Sequence, residues 1–195
     1  LQVCTEEGAL LLVDEAHAVG LFGPNKTGHS ETVQKSPLFV ATTHGFGKGL
    51  ASAGGILCCP SSVRDAIVNT SRAFIFTTAP SPLAILAAQS AWSLSQIDPD
   101  RHHRLEQLCK TFREGLHSLG WPTLHPPVET PIFPLLCGGL PKAVQISQRL
   151  ELMGIYLRPI RPPTVLEGTE RLRVTITADL EQSDLNEFLG VLNDL

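Results

Sequence analysis

What this 195-residue sequence lacks narrows its function before any motif is weighed. Its cysteines, Cys4, Cys58, Cys59, Cys109 and Cys137, are odd in number and contain no C-x-x-C pair. Neither a disulfide framework nor a zinc site is indicated, and a reducing compartment fits best. No apolar run approaches the ~20 residues needed to cross a bilayer, and the first residues lack the basic, apolar and small-residue succession of a signal peptide. A formal charge of -4 supplies no basic field for nucleic acid, and no block of like charges suggests a disordered tail. The chain therefore reads as soluble and cytoplasmic, with neither a membrane nor nucleic acid as partner. Charged residues are scarce too, at 17% against roughly 25% in an average soluble domain. Part of the surface is thus expected to lie under another layer, domain or subunit. The sequence opens on Leu1 and runs into a strand with no cap or leader, so a fragment of a longer protein is expected.

Hydrophobic residues are plentiful, at 43%, enough for a real core. The run Leu10-Leu11-Leu12-Val13, closed by Asp14, has the pattern of a parallel-sheet strand buried on both faces. Further strands are predicted over 38–42, 55–59 and 74–77, and Pro80 and Pro82 open a helix through about Leu94. Asp98-Pro99 then breaks the pattern and marks an expected domain boundary. Beyond it Leu105, Leu108, Phe112, Leu116 and Leu119 line one face of a long helix ending at Gly120. A Pro-rich loop over 122–131, a strand over 132–136 and a helix over 142–153 stopped by Gly154 come next. Strands at Tyr156 and over 172–176 precede a last helix with Leu185, Phe188, Leu189 and Leu192 at helical spacing. An α/β layer over 1–98 followed by a smaller α+β domain over 99–195 is the expected organisation, without internal repeats.

Chemistry concentrates in two places. Asp14-Glu15-Ala16-His17 follows the first strand, at the carboxyl edge where open α/β sheets place their ligands. Such an acid could simply cap the next turn, or the four residues could be a DEAH-box holding magnesium for ATP hydrolysis. The helicase reading is opposed by the absence of a G-x-x-x-x-G-K-[ST] loop and of a basic surface. The second place is Phe46-Gly47-Lys48-Gly49-Leu50, also after a strand. Lys48 among glycines could be a solvated loop residue. Small neighbours would equally let a planar cofactor approach the backbone, and a lysine held away from water gains the lowered pKa that imine chemistry requires.

Together with Leu12 to Gly20, the later segments Phe74-Ile75-Phe76-Thr77-Thr78-Ala79-Pro80-Ser81-Pro82 and Ile160-Arg161-Pro162-Pro163-Thr164-Val165 resemble the α-oxoamine synthase family. These are pyridoxal-phosphate enzymes of the aspartate-aminotransferase fold that condense an amino acid with an acyl thioester. The resemblance implies a partial large-domain sheet over 1–98, part of the pyridoxal 5'-phosphate-binding domain, plus a small α+β carboxyl-terminal domain with its connecting helix over 99–195. It implies that Asp14 pairs with the protonated pyridine nitrogen, keeping the ring an electron sink, and that His17 bonds the phenolic oxygen. It implies that Lys48 forms the Schiff base and then acts as the base at the substrate Cα. Arg161 would hold the amino-acid carboxylate and Thr78 would reach a cofactor phosphate across a homodimer interface. The Arg161 to Val165 run is most similar to the biotin-pathway branch, whose substrates would be L-alanine and an acyl-CoA such as pimeloyl-CoA. Members using glycine or serine, and a non-catalytic split partner chain, remain alternatives.

One position departs from the pattern. The family carries Ser or Thr three residues before the lysine, as a phosphate ligand, and here Gly45 stands there. Thr43 or His44 would have to replace it. The stacking residue, the glycine turn for the phosphate and part of the acyl site are expected upstream of this sequence.

Overall fold

A computed structural model describes residues 1–122 and 130–195, in two compact units, Leu1–Pro99 and Asp100–Leu195. The first unit contains α1 (Gln2–Glu6), β1 (Leu11–Asp14), β2 (Phe39–Gly45), β3 (Gly55–Cys58), α2 (Ser61–Thr70), α3 (Arg72–Ile75) and α4 (Pro82–Ile97). β1 pairs with β2 in parallel, with Val13 opposite Thr42 and Asp14 opposite Thr43. β2 pairs with β3 antiparallel, with His44 opposite Ile56 and Gly45 opposite Gly55.

Three expectations are corrected in this unit. β2 runs on through Thr43-His44-Gly45, beyond the strand expected over 38–42, because neighbouring strands offer ladder partners there. β1 is not buried on both faces: it lies at the sheet edge with β2 on one side only, leaving Leu10 and Leu12 67% and 62% exposed. Residues 74–77 do not form a strand. A short apolar run can be either helix or strand, and no sheet neighbour pairs with this one among the described residues. Local bonds decide instead, with the Ile75 and Phe76 amides donating to the Ser71 and Arg72 carbonyls and the Arg72 guanidinium lying 5.5 Å over the Phe76 ring. α4 starts at Pro82 as expected, its ring filling a first-turn position where an amide would have no helical acceptor.

The loop between β1 and β2 is organised by two acids. Glu15, 3% exposed, accepts the Ser30 amide at 2.6 Å. Glu31 accepts the Asn25 and Thr27 amides at 3.1 and 3.0 Å. Gly28 passes so close to Glu15 that a Cβ would lie 2.4 Å from the carboxyl carbon, and its φ of +128 is one that L side chains rarely adopt. The hydrophobic core of this unit is one small cluster, Val19, Phe46, Leu50 and Ala88, backed by Ala91 and Trp92.

The second unit contains α5 (Pro99–Ser118), β4 (Ile132–Leu136), α6 (Leu140–Leu152), β5 (Pro159–Ile160), β6 (Arg171–Thr175) and α7 (Gln182–Asn193). Its antiparallel sheet has the order β4-β6-β5. The strand expected at Tyr156 is instead β5, three residues later, where the chain comes into register with Leu172 and Arg171. Most of the expected Pro-rich loop, residues 123–129, lies outside the described residues. Core packing is extensive: Phe112 meets Phe133 edge-on at 5.0 Å and Phe188 face-on at 5.7 Å, above Leu135, Leu150 and Leu172. α5 and α7 touch at Gly115, where a Cβ would sit 2.3 Å from Leu189 Cδ1. A reciprocal cap between Glu181 and Asp184 starts α7. No helix among the described residues is long and apolar enough to cross a membrane.

Two outcomes follow from this packing. Phe112→Ala empties the centre of the second core and should cost about 3–5 kcal/mol in denaturant unfolding. Gly28→Ala must push Glu15 aside, so amide exchange at Ser30 should accelerate while that of the second unit stays unchanged.

Candidate active site

Asp14 closes β1, and the chain turns at once: the Ala16 amide donates to Asp14 Oδ1 at 2.8 Å, and the Ala18 and Val19 amides donate to the Glu15 carbonyl at 2.8 and 3.0 Å. This turn carries His17 outward into solvent. The Glu15 amide donates to the Thr43 carbonyl at 2.8 Å, so the turn is pinned to β2 where that strand is about to release the lysine loop.

The loop after β2 is equally defined. The Phe46 amide donates to the Gly54 carbonyl and the Ser52 amide to the Phe46 carbonyl, both at 2.9 Å. The Ser52 hydroxyl donates to the Ala84 carbonyl in the first turn of α4 at 2.6 Å. Gly49 is required by proximity: a Cβ there would lie 2.6 Å from the Val19 carbonyl oxygen. The lysine loop therefore lies directly on the Asp14–His17 turn, and Phe46 and Leu50 pack with Val19 beneath the contact.

Lys48 and His17 are in this way both brought close enough for their charges to act on the Asp14 carboxyl. The Asp14 carboxyl is held below the ordinary carboxylate value, first by the Ala16 amide, against partial desolvation, then by the Thr43 hydroxyl and the charges of Lys48 and His17. It stays ionised at neutral pH and below. Lys48 itself is exposed. The expectation of a lysine withdrawn from water is thus not met in these residues, because nothing in the first unit covers the open side of its glycine loop.

The two suggested substitutes for the Gly45 position separate by strand geometry. Successive β2 side chains alternate between faces, which sets His44 with Thr42 on one face and Thr43 with Gly45 on that of Asp14. His44 is buried with Nε2 2.9 Å from Thr42 Oγ1, and burial pushes its pKa down against the opposing charges of Glu15 and Asp14. It is turned away from the Asp14 face. A Cβ at Gly45 would meet only Ala16 Cβ, at an ordinary 3.4 Å.

Thr78 lies exposed in the segment between α3 and α4, and no hydrogen bond or ion pair among the described residues joins it to Asp14, His17 or Lys48. Arg161 belongs to the second unit, exposed just beyond β5, its carbonyl accepting the Thr164 amide at 3.0 Å. Two residues escaped the motif reading. Glu15 anchors the loop as a buried acid, and Thr43 faces Asp14 across the sheet. No periodicity marks the second, whose place beside Asp14 comes only from the register of β1 with β2.

The residues present suit pyridoxal phosphate. An ionised, exposed carboxylate with one oxygen engaged by the Ala16 amide is matched to a pyridinium nitrogen. Lys48 is exposed between Gly47 and Gly49, so its amine is open to a cofactor carbonyl.

Comparison with known proteins agrees. The chain is 35% identical to 8-amino-7-oxononanoate synthase of Anaeromyxobacter dehalogenans over 191 residues, 98% of this chain and 48% of that protein. It is 38% identical to the enzyme of the same name from Haemophilus ducreyi over 192 residues, 94% and 47% respectively. It thus spans about half the length of the curated relatives it matches. Among solved structures, a serine palmitoyltransferase from S. paucimobilis with bound PLP and myriocin superposes with a TM-score of 0.90 at 25% identity, covering 99% of this chain and 48% of that one. An 8-amino-7-oxononanoate synthase from Francisella tularensis shares the fold at TM-score 0.81 and 22% identity, covering 94% and 54%. The fold is that of the aspartate-aminotransferase-like pyridoxal-phosphate enzymes, and pyridoxal 5'-phosphate is the cofactor that goes with it. A family model for class I and II aminotransferases matches residues 1–192, and the chain belongs to that family.

Proposed function

We propose that this chain supplies the lysine-bearing half of the active site of a pyridoxal-phosphate-dependent acyltransferase, with residues 1–98 part of the cofactor-binding domain and residues 99–195 the small domain. The observation that carries the reading is the convergence of Asp14, His17 and Lys48 at the carboxyl edge of the β1–β2 pair. Pyridoxal phosphate, when bound, supplies an electron sink for charge developing at the substrate Cα. Asp14 holds the ring nitrogen protonated, and His17 donates to the phenolic oxygen. Lys48 would hold the cofactor through Nζ and, as a free amine, would serve as the base for the proton on the substrate Cα. Arg161 offers a planar fork for the amino-acid carboxylate, and Thr78 a hydroxyl for a phosphate across a homodimer interface.

The relatives' names support 8-amino-7-oxononanoate, for biotin synthesis, as the product; the substrates of this reading are L-alanine and an acyl-CoA such as pimeloyl-CoA, joined with loss of carbon dioxide and release of the CoA thiol. Preference for glycine or serine over alanine in a condensation assay would overturn that assignment. A second reading, a chain that acts only with a complementary polypeptide, is favoured by the apolar side chains open to solvent in the first unit, Leu10, Leu12, Phe76, Leu83 and Leu94 among them. Cofactor binding and turnover by the chain alone would defeat it.

Two measurements test the site. Lys48→Ala should abolish the visible absorption of the lysine-linked cofactor, and a variant retaining that band would show that another group makes the link. Gly45→Ser should restore a phosphate donor without crowding Ala16. A charge-assisted bond contributes roughly 1.5–3 kcal/mol, so pyridoxal phosphate should bind at least about ten-fold more tightly, with no gain for phosphate-free pyridoxal.

A further inference from the structure

An aspartate that must present one oxygen to a ring nitrogen has to be held against rotation about its own Cβ–Cγ bond, a broad and weakly restrained torsion. The Ala16 amide takes Oδ1 from the side of the turn. One donor alone leaves the carboxylate free to swing about that contact. A second restraint comes from the neighbouring strand, where Thr43 stands directly opposite Asp14 on the same face of the sheet. The backbone bond from the Glu15 amide to the Thr43 carbonyl, 2.8 Å, locks the two strands together at this very pair. Thr43 is half-buried and β-branched, so its χ1 is restricted and its hydroxyl direction is set by the sheet and not by solvent.

We propose that Thr43 is the positioning residue for Asp14, its hydroxyl clamping the carboxylate from the strand side while the Ala16 amide clamps it from the turn. The inference rests on the cofactor reading given above for Asp14. The ionisation of Asp14 agrees with it: the Thr43 hydroxyl lowers the carboxyl pKa, and so do the Lys48 and His17 charges from the two loops. His44, on the opposite face of the same strand, and Glu15, beneath the turn, are the other titratable groups nearby. A hydroxyl committed to Asp14 is also not available to a phosphate, which leaves the Gly45 vacancy unfilled from this strand.

The test compares Thr43→Val, which removes the hydroxyl, with Thr43→Ser, which keeps it, by carboxyl-carbon NMR titration of Asp14 in the cofactor-free chain. The Asp14 midpoint should move up in the Val variant, by roughly half a pH unit, and return in the Ser variant. Protection of the Glu15 amide from exchange reports that the strands remain paired, and Thr43→Ala serves if the Val side chain disturbs them. An unchanged midpoint, or failure of Ser to restore it, overturns the proposal. Cofactor titrations provide the second arm: Thr43→Val should shift the pH midpoint of the cofactor's visible absorption in the same direction as Asp14→Asn, by a smaller amount. If Asp14→Asn leaves that spectrum untouched, the cofactor reading itself fails even where the NMR result stands. If Thr43→Val instead weakens pyridoxal phosphate but not pyridoxal, Thr43 is a phosphate ligand and the clamp is refuted.

Discussion

Everything chemical in this chain depends on a single meeting, that of the turn after β1 with the loop after β2. Parallel pairing brings the two strands to a common carboxyl edge, but pairing alone would leave two floppy connections there. Burial of Val19 against Phe46 and Leu50, and the bare backbone of Gly49 resting on the Val19 carbonyl, fuse them into one surface. A side chain at residue 49 would pry that surface open. Asp14, His17 and Lys48 come together because apolar and backbone contacts one layer below them leave no alternative arrangement.

The two units differ in how much they can support by themselves. The second surrounds Phe112 with buried side chains from three helices and a sheet. The first rests on a handful of buried residues and leaves leucines of its edge strand and of α4 in water. Burial yields roughly 25 cal/mol for each Å² of apolar surface removed from water, so apolar side chains left exposed contribute nothing to holding the site. The functional residues therefore sit on the less self-sufficient part of the chain.

Much of this was legible in the sequence, and the failures have a common cause. Asp14 and Lys48 stand out as candidates because each is a charged residue at or just past a strand end, the lysine among glycines. The helices α4, α5 and α7 are visible because their apolar spacing and proline or acidic caps are local properties. What could not be read is whatever depends on a neighbour in space. Thr43-His44-Gly45 has no apolar alternation, and only its two partner strands make it sheet. The apolar run at 74–77 looks like a strand until no strand stands beside it. Leu12 reads as core because the pattern cannot tell an edge from a centre. Thr43 and Glu15 share this reason: each acquires its role from a residue far along the chain.

The bond from the Ser52 hydroxyl to the Ala84 carbonyl ties the lysine loop to the first turn of α4, directly after the stretch that holds Thr78. A displacement of the residues leading into α4, by a bound molecule or an adjoining protein surface, would therefore either break this bond or tug on the backbone that carries Lys48.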